Sequence, residues 1–174
     1  MRRPRAAPRP RTILTPTRER PMSEFQPRDP GYARRVRDSF ERQKIMGLLG
    51  ASLARVEPGV VAIELPFRED LTQQHGYFHA GIVGTIADSA GGYAGYTLMP
   101  EGSSVLSVEY HMHLLAPADG TRLIATGSVL RSGRTLTVCT LEVAIEKDGR
   151  SSRCAFGTQT LICLVDRPDG PKPA

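Results

Sequence analysis

The chain has 174 residues, with 23 Lys and Arg against 18 Asp and Glu and a formal net charge of +5. Hydrophobic residues make up 40%, enough for the core of one ordinary domain. No apolar run approaches the ~18 residues that a membrane-spanning helix needs. The excess charge would suit a nucleic acid only if it lay on the folded part.

It does not lie there. Residues 1–21 hold seven arginines and one glutamate, a net +6, so residues 22–174 net to −1. The same stretch holds Pro4, Pro8, Pro10, Pro16 and Pro21, which block a continuous helix. Residues 1–21 therefore read as a disordered tail. Met22 opens a segment of ordinary composition, which suggests an upstream start site. A targeting segment or a partner-binding arm are the alternatives. No nucleic-acid or membrane partner is expected. The three cysteines, Cys139, Cys154 and Cys163, are odd in number and widely spaced. They read as reduced, buried strand thiols of a cytoplasmic protein.

Residues 31–46 place Val36, Phe40 and Lys44 on one stripe, which predicts a short amphipathic helix within an N-terminal segment 22–46. Two strands come next, Ala51–Val56 and Val60–Phe67, joined by the turn sequence Glu57-Pro58-Gly59. Residues 68–79 form a polar loop. Helical spacing then runs from Ala80 to Met99, stopped by Pro100 and Gly102. In 104–115, Leu106, Val108, Tyr110, Met112 and Leu114 alternate with Ser107, Glu109, His111 and His113, a strand pattern. Further strands are expected at 121–131, 134–147 and 151–164, with hairpins at Ser132-Gly133 and Asp148-Gly149. One sheet against one long central helix is an α+β architecture. The expected domain spans 47–165, with a disordered C-terminal tail at 166–174.

Asp88 marks the informative face of the central helix. Gly81, Gly84, Thr85, Gly91, Gly92 and Gly95 lie three, four or seven positions from it and share its face. Interior glycine weakens a helix by up to ~1 kcal/mol relative to alanine, so five need a reason. Either another backbone packs closely there, or a ligand approaches and Asp88 projects into the contact. At the helix start, Ala80 and Gly81 offer backbone N–H groups at the positive end of the helix dipole. Such groups can polarise a carbonyl oxygen. A carboxylate nearby suits attack on an acyl group, as general base or as nucleophile. Gln73, Gln74, His75 and His79 lie just upstream. No Gly-x-Ser-x-Gly elbow is present.

The run His79-Ala80-Gly81, then Asp88 seven positions on, preceded by Gln73, resembles the hotdog-fold thioesterases of the PaaI-like, phenylacetate-degradation type. The resemblance covers about residues 45–164. It implies a hotdog fold, a long helix wrapped by five or six antiparallel strands. It also implies acyl-CoA thioester hydrolysis without metal or separate cofactor, CoA being part of the substrate. The site would form in a homodimer, assembling further to a homotetramer. Asp88 would be the base or nucleophile, and the Ala80 N–H the oxyanion donor from the facing subunit. Gln73 would orient thioester or water, His79 would support the loop, and Ser107 would help position water. Gly81 and Gly92 would border the substrate, and Arg134 would meet CoA phosphates. The sequence departs from the family's usual pattern in having His-Ala-Gly for His-Gly-Gly and Gln73 for the commoner Asn. A hydroxyacyl-thioester dehydratase or a non-catalytic acyl-CoA binder are the alternatives. Glu109, His111 and His113 share one predicted strand face, and a polar surface is the expectation there, with no metal.

Overall fold

The computed structural model describes residues 25–167 and 169–170. The expected tail 1–21 and the last four residues of the expected C-terminal tail lie outside the described residues. The chain forms α1 (Tyr32–Arg42), α2 (Lys44–Leu49), β1 (Ser52–Glu57), β2 (Val60–Pro66), a 3₁₀ turn (Glu69–Leu71), α3 (Ala80–Tyr96), β3 (Ser104–Leu114), β4 (Arg122–Ser132), β5 (Leu136–Lys147) and β6 (Arg150–Leu164). All six strands join one sheet in the order β1-β2-β4-β5-β6-β3. Every neighbouring pair is antiparallel. The sheet packs its apolar face against α3, giving the expected α+β hotdog arrangement. Among the described residues no helix is long and apolar enough to cross a membrane.

Two expectations need correction. The helix expected over 31–46 breaks at Gln43, whose backbone is extended (ψ 90°). Val36 and Phe40 are buried, but Lys44 is exposed; Met46 and Leu49 continue the buried stripe from α2. Helix α3 stops at Tyr96, three residues before Met99. There the Thr97 hydroxyl donates back to the Ala94 carbonyl at 2.6 Å and accepts from the Gly59 N–H at 2.7 Å. Arg35 of α1 closes this end. Its guanidinium donates to the Met99 and Tyr96 carbonyls at 2.8 and 3.1 Å and lies 4.4 Å from the Tyr96 ring centroid. A cation at a helix C-terminus offsets the dipole and satisfies orphan carbonyls.

Strand β3 lies at the far edge of the sheet, beside β6 and not beside β4. Alternation usually marks a face buried in the same chain. Here Leu106, Val108, Tyr110 and Leu114 are 46–60% exposed. A bulge also interrupts the strand: Ser107 pairs with Leu161 and Glu109 with Thr160, leaving Val108 unpaired. One extra residue reverses the facing of every later residue in the strand. Ser107 thereby leaves the face of Glu109, His111 and His113 and joins Tyr110 and Met112 on the side of α3.

Close packing of α3 on the sheet depends on missing side chains. A Cβ on Gly127 of β4 would lie 2.5 Å from the Gly91 Cα and would strike the Ala90 carbonyl. Both are backbone and cannot rotate away. We predict that Gly127→Ala lowers unfolding stability by about 1–3 kcal/mol, read from urea denaturation. An unchanged midpoint would mean that α3 is free to lift from the sheet.

Candidate active site

Asp88 sits at the middle of α3, half-buried. Its Oδ1 accepts from the Ser107 hydroxyl at 2.6 Å and from the Gln159 side-chain amide at 2.6 Å. The same amide nitrogen reaches the Asp88 carbonyl at 3.1 Å and the Ser107 Oγ at 2.9 Å. The carboxylate and the carbonyl only accept, so the NH₂ end of Gln159 must face them. Its Oε1 then points away. That atom is buried and, among the described residues, has no hydrogen-bond partner. It lies over Gly91, where a Cβ would collide with it. Leaving a buried acceptor unpaired costs about 1–3 kcal/mol. No described donor engages Asp88 Oδ2 and no described cation pairs with Asp88.

The start of α3 is held by the loop before it. The His79 N–H donates to the Leu71 carbonyl at 2.9 Å and the Phe78 N–H to the Ala118 carbonyl at 3.1 Å. Leu71 and Phe78 are buried, and Phe78 meets Phe67 edge-on at 5.4 Å. His79 is the N-cap: its Nδ1 accepts from the Gly81 N–H at 2.9 Å. A neutral His79 therefore carries its proton on Nε2. The Ala80 N–H meets no acceptor among the described residues. Gln73 Oε1 accepts from the His75 N–H, which leaves the Gln73 NH₂ to donate elsewhere.

These groups line two separate cavities. Gln73, Tyr77, Phe78, Ala80, Leu114 and Cys154 border one of about 480 Å³. Asp88, Gly92, Ser107, Leu106, Gln43 and Lys44 border another of about 830 Å³. The two share no lining residue. Eight residues of helix separate Ala80 from Asp88, an axial distance of ~12 Å. Within one chain, the polarising N–H and the carboxylate do not meet.

Residues 75–152 match the Thioesterase superfamily. A crystal structure of a thioesterase family protein from Silicibacter pomeroyi is 47% identical, covers 78% of this chain and 99% of its own, and superposes with a TM-score of 0.77. This chain belongs to the thioesterase superfamily. It is a thioester hydrolase. Human acyl-coenzyme A thioesterase 13 is 26% identical over 113 residues, covering 64% of this chain and 77% of its own. The PaaI protein of Escherichia coli is 17% identical with a TM-score of 0.68, covering 76% of this chain and 93% of its own, and shares the fold. Several further relatives are named only as esterases.

Within this thioesterase the expected site residues divide. Ser107 and Asp88 are brought together, as are Gln73 and Ala80. Gly81 does not offer its N–H, because His79 takes it. The glycines sharing the face of Asp88 serve different ends. A Cβ on Gly91 or Gly95 would strike side chains of the sheet, whereas one on Gly92 would meet nothing within 4 Å. Arg134 is exposed at the β4–β5 hairpin, and no described carboxylate pairs with it. Glu109 and His111 contact each other at 3.2 Å on the outer face. Burial pushes the Cys139 thiol up to about 12 and raises that of Cys154, so neither is a thiolate nucleophile. Gln159, which hydrogen-bonds Asp88, is a residue that sequence reasoning misses. Its one signal is a glutamine in the strand Arg150–Leu164 at a position of core parity, between Gly157 and Leu161.

Gly92 opens onto the cavity beside Asp88 without supporting any packing. We expect Gly92→Ala to raise stability slightly, by up to ~1 kcal/mol. Thioester turnover should fall about tenfold as the methyl fills substrate space. Thermal unfolding and kcat/KM measured together check both; unchanged kcat/KM would remove Gly92 from the site.

Proposed function

We propose that this protein hydrolyses acyl-CoA thioesters to the free acid and CoA, at sites shared between two copies of the chain. The observation that carries the reading is the separation of the two half-sites. Ala80 and Asp88 each border a cavity, yet neither cavity contains both. Edge strand β3, with Leu106, Val108, Tyr110 and Leu114 exposed on its two faces, offers apolar contacts and an open edge to a second copy. An antiparallel pairing of two α3 helices centred at Gly84 would set Ala80 opposite the partner subunit's Asp88, since both lie four residues from that point. The name of the human relative supports CoA as the thiol half of the substrate.

In this site the thioester oxygen accepts the Ala80 N–H, backed by the helix dipole. Asp88 takes a proton through Oδ2 from a water that attacks the carbonyl carbon. The C–S bond then breaks, the sulfur leaves as CoA thiolate, and the proton held by Asp88 returns to it. Gln73 orients the thioester by its free NH₂. Arg134, exposed and without a carboxylate partner among the described residues, would meet CoA phosphate.

A panel of aliphatic and aryl acyl-CoAs, with the matching oxygen esters, tests substrate class by thiol release. Asp88→Asn should lower kcat by about 10³-fold with the fold intact. Faster turnover of oxygen esters, or double-bond formation without thiol release, would overturn the reading.

Ala80→Pro offers a sharper test of the shared site. Proline suits the first helical position, and His79 already has the extended backbone (φ −64°, ψ 139°) that a following proline requires. The variant loses only the N–H, and kcat should fall about 10²-fold. Mixed dimers of Asp88→Asn and Ala80→Pro chains should then regain roughly half of wild-type turnover, from one intact site of two. Two inactive parents that stay inactive when mixed would mean that the site is not shared.

A further inference from the structure

We infer that Gln159 is a positioning residue that holds Asp88 Oδ1 and turns Oδ2 toward the substrate. The inference rests on Asp88 being the reacting carboxylate. Three contacts from one amide nitrogen bind the Asp88 side chain, its backbone carbonyl and the Ser107 hydroxyl. Tying a side chain to its own backbone through a third group fixes its rotamer. Ser107 then has one hydrogen-bonding arrangement, accepting from Gln159 and donating to Asp88. Both supports converge on Oδ1, and among the described residues Oδ2 stays unengaged.

The other end of Gln159 argues that this is more than packing. Gln159 is 1% exposed, and its Oε1 is buried with no partner among the described residues. A methionine of the same length would fill the space with nothing left unsatisfied. Buried unpaired acceptors are rare and call for a reason. The NH₂ contacts on Asp88 supply one. Gly91 supplies the room, since any side chain there would displace Oε1.

The electrostatics around Asp88 make the amide count. Glu41, Arg42 and Lys44 from α1 and α2, and Asp169, line the same cavity. Arg42 is engaged by Asp169 at 2.7 Å. Among the described residues, Ser107 from β3 and Gln159 from β6 touch the carboxylate; Tyr110 of β3 faces α3 one turn away, at Gly84, and Glu109 lies on the opposite side. No described cation reaches ion-pair distance of the carboxylate. Its anion is supported by two neutral donors, and loss of one would be felt directly.

Gln159→Met and Gln159→Glu test this in the full-length protein. For Gln159→Met we expect kcat to fall about tenfold with KM within twofold, because orientation is lost and binding is kept. The acid limb of the kcat/KM profile should move to higher pH, since a donor to the carboxylate is gone. Gln159→Glu should move it further, as a second carboxyl group lies against the first. In the wild-type protein, the Gln159 side-chain ¹⁵N resonance should titrate with the same midpoint as that limb, and should not in Asp88→Asn. Folded variants with unaltered kcat and pH profile would overturn the inference, as would a rise in KM alone. A flat Gln159 resonance across the limb would overturn it even if neither variant folds. Full turnover by Asp88→Asn would instead remove the reading on which the inference rests.

Discussion

A carboxylate in the middle of a helix can be steered by a sheet only if helix and sheet nearly touch at the backbone. Helix α3 meets that condition through residues with no side chain. Gly127 on β4 lets the turn at Ala90 and Gly91 descend onto the strand, and Gly91 and Gly95 leave room for Gln159, Leu141 and Leu161. Gln159 reaches both the backbone and the side chain of Asp88 because of that descent. The glycines weaken α3 as an isolated helix. Burial of Val83, Ile86, Ala87, Ala90 and Ala94 against the sheet holds it together instead.

Both ends of α3 are fixed by parts of the chain remote in sequence. Arg35 binds the carbonyls at its C-terminal end, and buried Leu71 and Phe78 set the angle of the loop at its N-terminal end. His79 satisfies one of the orphan N–H groups and leaves that of Ala80. A helix start with one donor capped and its neighbour open is a directed site for an oxygen atom. The bulge at Val108 does the same service on the sheet side, since without it the Ser107 hydroxyl would point away from Asp88.

Much of this architecture is legible in the sequence. The helical spacing from Ala80, the alternating strands and the turn residues locate α3 and strands β1 to β6 to within a few residues, but mark neither α2 nor the turn Glu69–Leu71. The His79-Ala80-Gly81 run and Asp88 seven residues beyond it mark the helix start and the carboxylate. Local rules suffice for these, because caps, turns and periodicity depend on neighbours within one or two turns. The same rules fail where long-range contacts decide. Lys44 continues the apolar stripe of α1 by count, but the extended backbone at Gln43 ends the count. The alternation in β3 marks a strand but not its place, which is an edge with Leu106, Val108, Tyr110 and Leu114 open to solvent.

The sequence by itself determined the fold class, the family and the start of the helix that carries Asp88, since each rests on residue types at short fixed spacings. Only the tertiary structure decided which side chains meet Asp88. Ser107 and Gln159 lie 19 and 71 residues from it in the chain. Their approach depends on strand order, on one bulge and on how deeply a glycine-lined helix settles, and no local pattern encodes these. It also decided that one chain keeps Ala80 and Asp88 on separate cavities. A rigid helix holds its first residue and its midpoint ~12 Å apart, whatever sequence surrounds them.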